Sequence, residues 1–154
     1  MCPELAQKLP AICRQLFTFE GRLGRLPFWK LYLLLFALGA VVWAAGLFAV
    51  IAFGAAGGLV FVLFPPVWIS LVSITLRRAH DRNHGIAWWA LVQVGPLAVG
   101  AIAQAMLETQ SVGLAWLGAF LSLGAVGLVL WGWVELGFRK GDVAPNRFGA
   151  ASAA

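Results

Sequence analysis

Charge is what this chain has least of. Only 11% of its 154 residues are Asp, Glu, Lys or Arg, against about 25% in an ordinary soluble domain, and none of them lies within residues 31–76. A soluble fold of this length has too small an interior for a composition that is 62% hydrophobic with a mean hydropathy of +0.89. The bilayer is therefore the expected main solvent. Cysteine is nearly as scarce: Cys2 and Cys13 match no zinc or thioredoxin spacing and read as reduced, uninvolved thiols. Acidic residues number six against eleven basic ones, for a net charge of +5. Such an excess points to nucleic acid only when it forms a basic face on a folded domain. Here it gathers at the ends of apolar runs, so no nucleic-acid partner is expected. A signal peptide is not expected either, because the N-terminal segment has no continuous apolar stretch and Pro10 interrupts it.

Four apolar runs remain. About 20 residues at 1.5 Å each span the hydrocarbon of a bilayer, which predicts helices over about 28–53, 59–76, 86–107 and 112–138. "FGAAGG" (53–58) supplies the first turn, and Pro65 and Pro66 fall inside the second helix, where they are expected to kink it or open its backbone. The predicted fold is all-α: a four-helix transmembrane bundle of two hairpins. Its parts are an N-terminal cytoplasmic segment (1–16), a membrane domain (17–149) and a flexible tail (150–154). Leu5, Leu9, Ile12 and Leu16 stand at helical spacing, compatible with a short N-terminal interfacial helix.

Between the second and third runs stands "RRAHDRNHGIAWW" (77–89). Arg77, Arg78, Asp81 and Arg82 would each cost about 2.5–3.5 kcal/mol at the centre of a membrane helix. The cluster is therefore expected in a loop or helix end in water. All eleven basic residues lie in the N-terminal segment, this central stretch or the C-terminal tail. Positive charge marks the cytoplasmic side, so both termini and the central stretch are expected in the cytosol. Trp29, Trp88 and Trp89 lie near that boundary as expected interfacial anchors.

"FTFEGRLGRLPFWKLYLL", "RRAHDRNHGIAWW" and "GDVAPNRFG" resemble, in order and spacing, three signatures of the domain-of-unknown-function 805 family of small bacterial inner-membrane proteins. The matching positions are Gly21, Arg22, Arg25, Phe28 and Trp29; Arg77, Arg78, His80, Asp81, Trp88 and Trp89; and Asn146, Arg147, Phe148 and Gly149. The resemblance implies a four-helix domain of the bacterial inner membrane and no particular activity. His84 lies outside the family pattern.

The polar residues admit several chemistries. If the second helix continues through the cluster, Arg77 or Arg78 can pair with Asp81 at four or three residues' distance, and Glu135 with Arg139 at four. Arg22, Arg25, Asn146 and Arg147 belong to segments on the same side, so the favoured reading is one hydrogen-bonded cytoplasmic cap of Arg22, Arg25, Arg77, Arg78, His80, Asp81, Asn146 and Arg147, which Glu135 joins. A sharper alternative makes the same arginines a site for an anionic phospholipid headgroup or another phosphate. His80 and His84, four apart with Asp81 beside them, make a poor metal site ahead of Gly85, and neither metal nor cofactor is expected. No Ser-His-Asp order, HExxH motif or phosphate loop occurs, so the chain is not expected to be an enzyme. Proton-coupled transport usually needs a carboxylate near mid-membrane, and the runs carry none there; a passive or oligomeric transporter survives as the alternative. Gly118, Gly127 and Gly132 permit close helix approach, within one bundle or in a homo-oligomer.

Overall fold

The computed structural model describes residues 16–150. Of the expected interfacial helix only Leu16 is among them; both cysteines and residues 151–154 lie outside. Among the described residues the chain is all-α: α1 (Arg25–Phe53), α2 (Phe64–Asp81), α3 (Ile86–Gln93), α4 (Gly95–Leu107) and α5 (Val112–Trp133). A 3-10 stretch, Gly54–Leu63, joins α1 to α2, and a π turn, Val134–Phe138, extends α5. Three helical stretches are long and apolar enough to cross a membrane: Arg25–Asp81, Ile86–Leu107 and Val112–Phe138. Only 6%, 17% and 11% of their most apolar windows are buried. Apolar surface left outward on this scale suggests a membrane-embedded protein.

The longest stretch is bent back on itself. Gly54 adopts φ +61° and ψ −143°, a region that a side chain all but closes. Beyond it the contacts run antiparallel. A Cβ on Gly46 would lie 2.6 Å from the Phe61 ring, Gly39 faces Val67, and the Leu23 amide donates to the Arg77 carbonyl at 3.2 Å. The backbone at Gly57 lies so close to that of Ala49 that any side chain there would overlap it. Hence α1 and α2 form a hairpin.

Three details depart from the sequence expectation. The turn winds as a 3-10 helix as far as Leu63, so Pro65 and Pro66 occupy the first turn of α2. There the winding changes from 3-10 to α, with the Phe64 amide on the Phe61 carbonyl, so the prolines stand at a junction between two helical forms and not inside the second helix. Second, α2 does not stop at Leu76 but continues to Asp81. Asn83 ends it at φ +58°, with its amide on the His80 carbonyl and the His84 amide on that of Ala79, both at 3.0 Å. These are the paired bonds of a Schellman ending, with asparagine in the usual glycine position. Third, the 86–107 run is two helices, α3 and α4, that meet at Val94. Pro96, in the first turn of α4, removes the amide that the Val92 carbonyl would accept.

Small residues close the second half as well. A Cβ on Gly118 would come within 2.8 Å of the Ala103 carbonyl, and one on Gly132 within 3.2 Å of Val92. Both glycines therefore pack inside the chain, whereas nothing lies within 4 Å at Gly127. The backbones of α1 and α2 approach the second half only at α3 and the π turn; neither comes near α4 or α5 as packed helices do. The two halves thus join at one end and part below it. At the joined end sits the core of Leu23, Phe28, Leu35, Ile74, Ala79 and Leu136, and directly above it the polar cluster.

Candidate functional site

Two helix C-termini meet at this end, those of α2 and of α5 with its π turn. Each leaves its last carbonyls without helical donors and carries a partial negative charge. The guanidinium group suits such a place, because it offers five fixed donors and remains charged. The π turn opens the end of α5 further, and its carbonyls are taken one after another by side chains from other elements. Arg78 Nε donates to Leu136 at 2.7 Å, the Trp29 indole to Gly137 at 2.9 Å and Arg25 to Phe138 at 3.4 Å. Arg78 reaches the Arg139 carbonyl with its third nitrogen, and Arg82 reaches that of Lys140 at 3.0 Å.

Arg78 is the centre of the cluster and is completely buried. Besides the two carbonyls of the last helix, it binds the Leu23 carbonyl at 3.4 Å and Asp81 Oδ2 at 2.5 Å. Asp81, 1% exposed, receives Arg22 Nε on its other oxygen at 3.0 Å. Arg22 in turn holds the tail, donating to the carbonyls of Ala144 (2.8 Å), Gly149 (3.4 Å) and Asp142. The expectation of a cluster in water is therefore corrected: Arg77, Arg78, His80 and Asp81 are all buried, by protein. The π turn and the folded-over N-terminal and C-terminal segments, all distant in sequence, provide that cover, which explains why local sequence did not reveal it.

The tail closes the end of α2. The Asp142 amide donates to the Asp81 carbonyl at 2.8 Å, and Asn146 Nδ2 to that of His80 at 3.0 Å. "NRFG" is a tight turn in which the amides of Asn146 and Gly149 each bond the other's carbonyl. It lays Phe148 flat on the His80 ring, centroids 3.9 Å apart, and sends Arg147 to the Asn83 carbonyl at 3.0 Å. His80 Nδ1 lies 3.2 Å from the Gly21 carbonyl, so that nitrogen carries the proton.

A second anion anchors the other side. Glu135, 4% exposed, accepts from Arg82 at 2.6 Å and Arg139 at 2.8 Å, with His84 Nε2 at 3.5 Å. His84 stacks on Trp88. The two histidines thus face different partners, and no three His, Cys, Asp or Glu among the described residues group as metal ligands. The three tryptophans read as anchors are half-buried. Trp29 bonds the π turn, Trp88 covers His84, and the Trp89 indole donates to Thr75 Oγ1 at 3.0 Å.

Sequence reasoning thus named most of the residues that meet here, Arg22, Arg78, His80, Asp81, Asn146 and Arg147 foremost, with Arg25 at the rim and Arg77 buried beneath. It gave Arg82 no place in the cap, and it missed the π turn and Gly141. A Cβ on Gly141 would overlap the Asp81 carboxylate; the only signal was a glycine between "RK" and "D". Gly141→Ala is expected to lower stability by about 1–3 kcal/mol through that overlap, read as a drop in melting temperature in detergent. The control is Gly124→Ala, where nothing lies within 4 Å. Equal melting of the two variants would refute the contact.

An all-α protein of apolar helices, gathered at one end by buried arginines, is the class this fold and cluster define. The chain belongs to the family described as "Protein of unknown function (DUF805)", whose family model matches residues 16–150, as the three motifs implied. No curated protein and no solved structure matches it.

Proposed function

We propose that this chain is a multi-pass protein of the bacterial inner membrane. In this reading it crosses the bilayer four times, with α1, α2, α3–α4 and α5, and keeps both termini and the arginine cluster in the cytosol. It is not an enzyme. It acts as a structural or interaction component whose cap clamps two helical hairpins together. The observation that carries this reading is the engagement of Arg22 and Arg78, whose donors bind backbone carbonyls and the one carboxylate of Asp81 from four separate segments. Arginines so occupied favour a clamp over a site for an outside ligand.

The topology is tested with single cysteines in a background lacking Cys2 and Cys13. At Val143, 92% exposed, a cysteine should label only after the membrane is permeabilised. One at Gln110 should label from outside in intact cells. Labelling of Val143→Cys from outside overturns the orientation. In proteoliposomes a clamp passes no more solute than protein-free vesicles do, and a clear flux would favour the transporter instead.

One observation supports a second role on the same face. Arg25, Lys30, Arg139, Lys140 and Arg147 are exposed around the cap. Near a membrane each attracts anionic headgroups by about 1 kcal/mol. An anionic phospholipid would thus bind at this rim rather than at buried Arg78. Native mass spectrometry should show retained phosphatidylglycerol that Arg25→Ala with Arg139→Ala weakens.

A further inference from the structure

Directly under the cap, where the two halves begin to part, lies a cavity of about 250 Å³. All four apolar arms contribute to its wall, which includes Trp29 and Tyr32 from α1, Trp68 and Thr75 from α2, Gln93 from α3 and Trp133 from α5. A second hollow shares Trp68, Gln93, Leu97 and Trp133 with it and is lined otherwise by α3, α4 and α5. The backbones of α1 and α2 do not pack on those of α4 and α5, which leaves a cleft between the halves beside the cavity; the Tyr32 and Trp133 rings meet across it.

The chemistry of the wall restricts what can occupy it. No Asp, Glu, Lys, Arg or His lines the cavity, so a charged group would enter without a counter-ion and at a prohibitive desolvation cost. From above the way is closed, because the cap arginines are held by protein acceptors. Aromatic walls favour a flat ring, through offset or edge-on contact. Thr75 is already engaged, with its hydroxyl on the Leu71 carbonyl at 2.7 Å and the Trp89 indole on its oxygen. The Gln93 amide and the Tyr32 hydroxyl are different: among the described residues neither makes a hydrogen bond. A plain acyl chain would leave both facing hydrocarbon, at about 1–3 kcal/mol for each unsatisfied group. A ring bearing acceptor oxygens satisfies them.

We propose that this cavity binds a neutral, ring-bearing membrane lipid of the prenylquinone class, its ring between the tryptophans, a ring oxygen on Gln93 or Tyr32, and its tail leaving through the cleft between the halves. The assignment rests on the membrane reading above. Its test uses detergent-solubilised full-length protein, so a wrong orientation in the cell would not affect it. Decylubiquinone titrated into the protein should quench tryptophan fluorescence saturably. A variant with Gln93→Leu and Tyr32→Phe, melting as the parent does, should bind about tenfold more weakly. Organic extraction of the purified parent, which depends on no variant, should release close to one prenylquinone per chain. Quenching that is linear in quinone and equal in both proteins, with no quinone in the extract, overturns the assignment. Displacement of the quinone by dioleoyl phosphatidylglycerol at equal mole fraction also overturns it, in favour of an acyl-chain cleft.

Discussion

Arg78→Ala should separate the two halves of the protein while leaving its helices intact. The substitution removes four hydrogen bonds at once, to Leu23, Leu136, Arg139 and Asp81, and the carbonyls left behind sit where water has little access. Each unsatisfied carbonyl costs about 1–3 kcal/mol, and loss of one partner from a buried ion pair about 3–5 kcal/mol. The sum reaches the whole stability of an ordinary domain, on the order of 5–15 kcal/mol. Apolar helices in a membrane or micelle remain helical on their own, because their backbone bonds are internal to each segment. Circular dichroism should therefore change little. Trypsin, in contrast, should gain access to Arg77 and Arg82, and cooperative thermal unfolding should vanish. Arg78→Lys should rescue little, since one ammonium cannot reach acceptors on three separate segments. If the lysine variant melts within about 2 °C of the parent, where 1 kcal/mol corresponds to about 2–4 °C, the clamp has been misjudged.

Asp81→Asn should do nearly as much harm by the opposite route. Arg22 and Arg78 approach the two oxygens of this carboxylate from opposite sides. An amide of the same shape neutralises neither cation and turns an N–H₂ toward one of them. Two buried guanidinium groups would then lack their anion, for a loss of about 3–5 kcal/mol, or a fall of roughly 10 °C in detergent. A less buried pair sets the contrast. Arg139, its side chain 60% exposed, shares the buried Glu135 with Arg82, so its replacement by glutamine should cost on the order of 1 kcal/mol, because Arg82 still holds the carboxylate. Should Asp81→Asn melt like Arg139→Gln, the burial of the cluster is not reflected in solution. The double variant Arg78→Met with Asp81→Leu adds a discriminating result. An isolated buried pair can often be replaced by apolar residues at no loss. Here the carbonyls of Leu23, Leu136 and Arg139 would still be without their donors and Arg22 Nε without its carboxylate, so the double variant should not recover the parent's melting temperature.

The same pattern explains how far the site was legible beforehand. Arg78 and Asp81 stand three apart and Glu135 and Arg139 four apart, so a helix brings each pair together whatever surrounds it. The segregation of the cations pointed to one common side for the segments of Arg22, Asn146 and Arg147. The carbonyls that these side chains bind were not legible, because a carbonyl is present at every residue and only a particular backbone path exposes a few of them. The π turn of Val134–Phe138 and the close pass of Gly141 over Asp81 belong to that path.

Pattern and composition alone determined the helical class, the apolar runs and their approximate ends, and the segregation of every cation to three stretches. Transfer of a side chain between water and hydrocarbon is a local property, and reading residues one at a time recovers it. Tertiary structure decided what depends on partners far away in the chain. Pro65 and Pro66 became helix starters because the preceding residues wind as a 3-10 helix; the arginines became buried because two distant segments fold over them; and a cavity exists because the halves touch at one end only. Satisfaction of a polar group and the filling of space belong to pairs of segments, and no single stretch of sequence carries that information.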